Sequence, residues 1–98
     1  MTKRTETRPF DPAEFIDTAE GARAYLSEAF RTNDAAFIAD ALGVVARAHG
    51  MTELAAQTGL SRQSLYRALS PQGRPELPTL IKVLNALGVQ LEPVALDG

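Results

Sequence analysis

Residues 51–70 read MTELAAQTGLSRQSLYRALS and contain the strongest structural signal in the chain. Ala55 is a small residue inside a first short helix, and Gly59 stands at the corner that follows it. Two helices that cross steeply need little bulk where they approach and a residue that tolerates positive φ between them. The pattern therefore predicts a helix-turn-helix, the motif whose second helix enters the major groove of DNA.

The second helix of this motif has an apolar face and a polar face. Ser61 is its expected N-cap, and the helical period places Leu65, Ala68 and Leu69 inward. The outer face carries four polar residues: Arg62, Gln63, Ser64 and Arg67. Arginine forms two-pronged hydrogen bonds with guanine and glutamine does so with adenine, so Arg62 and Gln63 are the expected base readers. Arg67, one turn later on nearly the same face, is expected to reach either a base or a phosphate.

Other residues of this region are suited to the DNA backbone. Thr52 is a candidate for a phosphate contact, and Ser61 and Ser64 are suited to phosphate or short base contacts. Arg74 in the following loop is expected to neutralise a flanking phosphate. Tyr66 has two interpretations, because a tyrosine either lies along the DNA backbone or covers the edge of the core.

The alternative to DNA contact is that these polar side chains form only the solvated face of an amphipathic helix. The preceding helix and its glycine corner favour DNA, and no acidic residue occurs from Leu54 to Pro75. The net charge of −2 arises from the first half, since residues 1–48 hold six basic and eight acidic groups and residues 49–98 hold four of each. A locally basic surface attracts DNA, because salt limits each charge to a range of about 8–10 Å.

Composition excludes several other classes of function. The 98 residues allow one domain with a modest core, and they include no cysteine and only one histidine, His49. We therefore expect no enzyme, no catalytic or metal-binding residues and no cofactor. No apolar run approaches the roughly 20 residues of a membrane span, and the N-terminus lacks the apolar core of a signal peptide, so a cytoplasmic location without membrane contact is expected.

Three segments are expected along the chain. Residues 1–9 are polar and patternless and are predicted to be a mobile tail, and residues 10–32 form an N-terminal helical extension. In the extension, Asp11 and Pro12 predict a short helical turn, and Thr18 caps an amphipathic helix. Residues 33–98 form the helix-turn-helix domain, whose first helix has its start signal at Asn33 and Asp34 and its stop at Gly50.

The last part of the chain is expected to contain a loop, a helix and a strand. Residues 70–77 form the loop, Pro78 opens the helix, and Gly88 ends it. Residues 89–94, VQLEPV, alternate in polarity and predict a short strand whose partner is its copy in a second subunit. Such a homodimer sets two recognition helices about 34 Å apart. The alternative is a disordered or merely docked tail.

From Met51 to Val89, the order of helix, glycine corner, capped helix, loop and terminal ALGV resembles the phage repressor and Cro family. This resemblance implies an all-α fold in which the first residues of the second helix read bases. By matching positions, it places Arg62, Gln63 and Arg67 in that role. Thr58 and Ala68 depart from the family pattern, which has larger apolar residues there.

A wider resemblance covers TRPFDPAEFIDTAEGARAYLSEAF and NDAAFIADALGVVARAHGMTELAAQTGLSRQSLYRALSPQGRPELPTLIKVLNALGV. These stretches are similar to the small addiction-module antidote proteins, relatives of the HigA-type antitoxins. The resemblance implies an antitoxin that binds a RelE-like ribonuclease toxin and represses their shared promoter as a dimer.

The combined prediction is an all-α, Cro-like helix-turn-helix domain with an N-terminal helical extension and a short C-terminal strand. Its expected partners are double-stranded operator DNA, a RelE-like toxin and a second copy of the chain. Two alternatives stay open: a prophage-type regulator without a toxin, and a module that keeps the scaffold but binds only protein.

Overall fold

The computed structural model describes residues 16–96. Within that range the chain forms five helices: α1 Ala19–Arg31, α2 Ala35–His49, α3 Met51–Thr58, α4 Arg62–Ala68 and α5 Leu77–Ala86. This helical architecture agrees with the predicted all-α class. The predicted tail at residues 1–9 and the predicted helical turn at Asp11 lie outside the described residues.

Side-chain caps start the first two helices where the sequence predicts them. Thr18 is extended, and its Oγ1 accepts a hydrogen bond from the Gly21 N–H at 3.0 Å. The Asp34 carboxylate accepts from the N–H groups of Ala36 at 3.0 Å and Phe37 at 3.2 Å. These bonds satisfy donors that have no partner inside the helix, which fixes where α1 and α2 begin.

A single residue separates α2 from α3. Gly50 has φ of 111° and ψ of 114°, a backbone conformation that residues other than glycine rarely adopt. Its N–H donates to the Ala46 carbonyl at 2.9 Å. The Leu54 N–H donates to the Gly50 carbonyl at 2.9 Å, and this bond closes the first turn of α3. The predicted stop at Gly50 is confirmed.

The core is continuous and centres on α3, which contacts α2, α4 and α5, while α1 packs on α2. Buried apolar side chains from all five helices and the residues next to them form one cluster: Ala22, Leu26, Ala29, Ala41, Leu42, Val45, Ala46, Met51, Leu54, Leu65, Leu69, Val83, Leu84 and Leu87. From α4 itself, Leu65 is the residue that joins this cluster, and it is fully buried. Its burial orients the polar face of α4 toward solvent.

The predicted C-terminal strand is wrong: residues 89–96 form neither a strand nor a helix. The Val89 N–H is used to close α5, since it donates to the Leu84 carbonyl at 2.9 Å. A strand exists only where a neighbouring segment takes up its hydrogen bonds, and no described segment of this chain does so. Pro93 also lacks the N–H that a ladder requires.

Candidate nucleic-acid interface

The connection between α3 and α4 is a tight, internally bonded turn. Gly59 has φ of 76°, in the left-handed region, and its N–H donates to the Ala55 carbonyl at 2.9 Å. The Thr58 hydroxyl donates to the Leu54 carbonyl at 2.8 Å and accepts from the Leu60 N–H at 3.3 Å. Thr58 therefore fixes the corner by hydrogen bonding, at a position where larger apolar residues were expected from the resemblance.

Ser61 is the N-cap of α4, as predicted. Its Oγ accepts a hydrogen bond from the Ser64 N–H at 3.0 Å and donates to the Ser64 Oγ at 2.9 Å. Both serine hydroxyls are therefore engaged with each other in the free protein, although both residues are exposed. Their first role is to start α4 at a defined residue.

Two leucines fix which side of α4 faces outward. Leu65 has no solvent exposure and Leu69 is 2% exposed, whereas Ala68 between them is only partly buried. Residues four apart lie on the same side of a helix, so this pair anchors one stripe of α4 to the core. Leu69 belongs to the core cluster, and Ala68 packs against that cluster from its edge.

The opposite side of α4 brings together five of the predicted site residues, all exposed: Arg62, Gln63, Ser64, Tyr66 and Arg67. The Arg62 guanidinium carbon lies 5.9 Å from the centroid of the Tyr66 ring. Tyr66 is 44% exposed and is not part of the core cluster, and its contact with the DNA backbone stays a prediction.

The other two predicted contacts stand apart from this face. Thr52 is the exposed second residue of α3, and Arg74 is exposed in the loop between α4 and α5. Within residues 16–96, no hydrogen bond or ion pair joins either side chain to α4. Their role as flanking phosphate contacts stays a prediction.

The exposed face of α4 carries the positive charges of Arg62 and Arg67. Among the described residues, none of the carboxylates forms an ion pair with Arg62, Arg67 or Arg74. The ion pair between described residues lies on α1, where Arg23 Nη2 contacts Glu20 Oε2 at 2.7 Å. That contact, first as a hydrogen bond and then through charge, lowers the pKa of Glu20 and raises the pKa of Arg23.

Two glycines that support the end of α4 were missed by sequence reasoning. A Cβ built on Gly43 of α2 would stand 2.2 Å from the Leu69 carbonyl oxygen, and one on Gly73 would stand 2.1 Å from the Ala68 carbonyl oxygen. Only glycine therefore lets α2 and the following loop approach the C-terminal end of α4 so closely. A glycine inside the apolar run of α2 was the available signal.

Neither a group of metal ligands nor a membrane-spanning helix occurs among the described residues. From residue 16 to residue 96, no three His, Cys, Asp or Glu side chains are grouped as metal ligands would be. In the same range, none of the helices combines the length and apolar character that crossing a bilayer requires. A surface cleft of about 550 Å³ is lined by polar and small residues of α3 and α5: Gln57, Thr58, Lys82, Asn85 and Ala86.

Comparison with known proteins shows the family to which the chain belongs. Residues 6–95 match the family model described as "Probable addiction module antidote protein". A Haemophilus influenzae protein, described as uncharacterized, is 38% identical over 87 residues, which cover 89% of this chain and 90% of that relative. No solved structure matches the chain.

Proposed function

The chain belongs to the family of probable addiction module antidote proteins, and on that premise we propose that it is a DNA-binding antitoxin. In this proposal it acts in the cytoplasm, represses its own operon as a Cro-like helix-turn-helix protein, and neutralises a RelE-like toxin. An antidote implies a toxin partner in general. The further details rest on the α4 surface and on the resemblance given above.

The observation that carries DNA binding is the division of α4 into two faces. Leu65 and Leu69 hold one face in the core, and the exposed face presents two arginines that form no ion pair with a carboxylate of residues 16–96. In the major groove, Arg62 and Arg67 would pair with guanine and Gln63 with adenine. An arginine held in an ion pair would have to break that pair before it could bind a base. Arg62 and Arg67 form no ion pair among the described residues, so they do not face this cost.

Flanking contacts and a second subunit complete the proposed operator complex. Thr52 and Arg74 would bind phosphates on either side, which sets register without reading sequence. A homodimer would present two copies of α4 to successive turns of one DNA face and block the promoter sterically. Exposed apolar residues at the C-terminal end, Leu91, Val94 and Leu96, offer surface for that association.

The DNA proposal is tested by fluorescence anisotropy with the DNA upstream of the gene and with a scrambled duplex, at two salt concentrations. Arg62→Ala should weaken operator binding by about 1–3 kcal/mol and leave scrambled DNA nearly unchanged. Arg74→Ala should weaken both duplexes alike and reduce the salt slope by about one unit. Arg23→Ala is the matched control, since it removes the same charge from α1.

Equal losses on both duplexes for Arg62→Ala would refute the base-reading role. Absence of any sequence-dependent binding by the wild-type protein would refute DNA binding and favour the protein-only module.

The toxin proposal has its own test. The neighbouring reading frame is co-expressed with this chain, and copurification and rescue of cell growth are measured. We expect Arg62→Ala to retain both, because Arg62 is proposed to contact a DNA base and not the toxin. DNA binding without a toxic or copurifying neighbour would favour the prophage-type regulator instead.

A further inference from the structure

Tyr66 is the one aromatic residue on the exposed face of α4, and its described contact is with Arg62. The ring is 44% exposed, and within residues 16–96 its hydroxyl forms no hydrogen bond. Leu65 and Leu69 occupy the inward stripe and belong to the core cluster, which does not include Tyr66. The ring therefore lies on the outer face of α4, beside Arg62.

Helix geometry explains why these two side chains meet. Tyr66 follows Arg62 by four residues, and helical side chains lean toward the N-terminus, so the Tyr66 ring covers the turn that carries Arg62. The guanidinium carbon stands 5.9 Å from the ring centroid, within the range of a cation–π contact. Arg67 on the same helix has no ring contact of this kind among the described residues.

We infer that Tyr66 is a positioning residue that holds the Arg62 guanidinium ready for a guanine before DNA arrives. This inference rests on the proposed DNA-binding function. A contact with the ring uses the cation's charge and face and leaves its N–H donors free to pair with a base. A flexible arginine must otherwise lose rotamer freedom on binding, and restricting it beforehand lowers that cost. Tyr66 thereby sets how strongly Arg62 discriminates between bases.

The first experiment needs no DNA. Proton NMR of the free protein should show ring-current shifts on the Arg62 side chain that are retained in Tyr66→Phe and lost in Tyr66→Leu. Tyr25→Leu is the matched control, because Tyr25 is 39% exposed and lies on α1. Unshifted Arg62 protons in the wild-type protein would overturn the inference while leaving the proposed function intact.

The second experiment measures base discrimination. Affinities are compared for the operator and for an operator changed at the base pair that depends on Arg62. Tyr66→Leu should reduce the ratio of these affinities by about two- to fivefold, the strength of an exposed cation–π contact. Tyr66→Phe should preserve the ratio, and in the Arg62→Ala background Tyr66→Leu should change it no further.

Three results would overturn the inference. Loss of discrimination in Tyr66→Phe would assign the effect to the hydroxyl and a phosphate contact. An equal effect of Tyr66→Leu with and without Arg62 would make the ring independent of the arginine. A wild-type protein that binds both duplexes equally would overturn the proposed function, and this inference with it. Circular dichroism of each variant checks that α4 remains folded.

Discussion

Replacing Gly43 by alanine should destabilise the fold through a contact with the end of α4. The added Cβ would stand 2.2 Å from the Leu69 carbonyl oxygen and 3.1 Å from Arg47 Nη1, whereas ordinary contacts begin at 3.4 Å. The long Arg47 side chain can move aside. The carbonyl belongs to the backbone that ends α4, and it must retreat by more than 1 Å to restore ordinary contact.

Two opposing terms set the magnitude. Overpacking costs about 1–3 kcal/mol, and a displaced backbone atom places this site at the upper end. Alanine returns about 1 kcal/mol because it is a better helix former than glycine. We expect a net loss of about 2 kcal/mol, equivalent to a melting temperature lower by about 8–16 °C.

Urea unfolding followed by circular dichroism measures the loss as a lower midpoint with an unchanged slope. Asp40, exposed on the same helix, provides the matched control: the difference between Asp40→Ala and Asp40→Gly gives the propensity term without any clash. A Gly43→Ala protein as stable as the wild type, or more stable, would refute the close approach of α2 to α4.

Three further predictions concern the caps, the corner and the ion pair. Ser61→Ala should cost about 1 kcal/mol in urea unfolding, because the Ser64 N–H loses its acceptor, and an unchanged midpoint would contradict the cap. Gly59→Ala should cost about 1–2 kcal/mol from backbone strain alone, since nothing lies within 4 Å of the added Cβ, and Gly59→Asn should cost less. By NMR titration, the pKa of Glu20 should lie below its ordinary value of 4.5, because the folded protein favours its charged form beside Arg23. The small stabilisation from this pair is therefore complete above pH 4.5 and disappears as the pH falls through the lowered pKa, and Arg23→Ala should return the pKa toward 4.5.

The parts of the fold that sequence predicts are those decided by short-range hydrogen bonds. Thr18, Asp34 and Ser61 start helices because each accepts a bond from an N–H two or three residues ahead. Gly50 and Gly59 end helices because the chain there needs positive φ. In each case the residue that decides the structure stands beside the structure it decides.

The parts that were missed depend on distant segments. The alternation at residues 89–94 has the period of a strand, but a strand also needs a partner, and that requirement has no local signature. Gly43 was missed for the same reason, since the Leu69 carbonyl that excludes a side chain is 26 residues away in sequence. For the candidate site, helical periodicity identified the exposed face of α4. The contact between Tyr66 and Arg62 was not predicted, although residues four apart on a helix are neighbours and this spacing was the available signal.

These long-range contacts matter for the proposed DNA reading because α4 is too short to be stable alone. Its seven residues fall well below the length of about 12–15 residues at which an isolated helix becomes even marginal in water. Its helical state and its rotation therefore come from Leu65 and Leu69 in the core and from the close approach of Gly43 and Gly73 to its end. A sequence pattern can name the side chains that face outward, but tertiary packing decides where they point. A substitution at one of these supporting residues, such as Gly43→Ala, should consequently weaken operator recognition without changing any residue that faces the DNA.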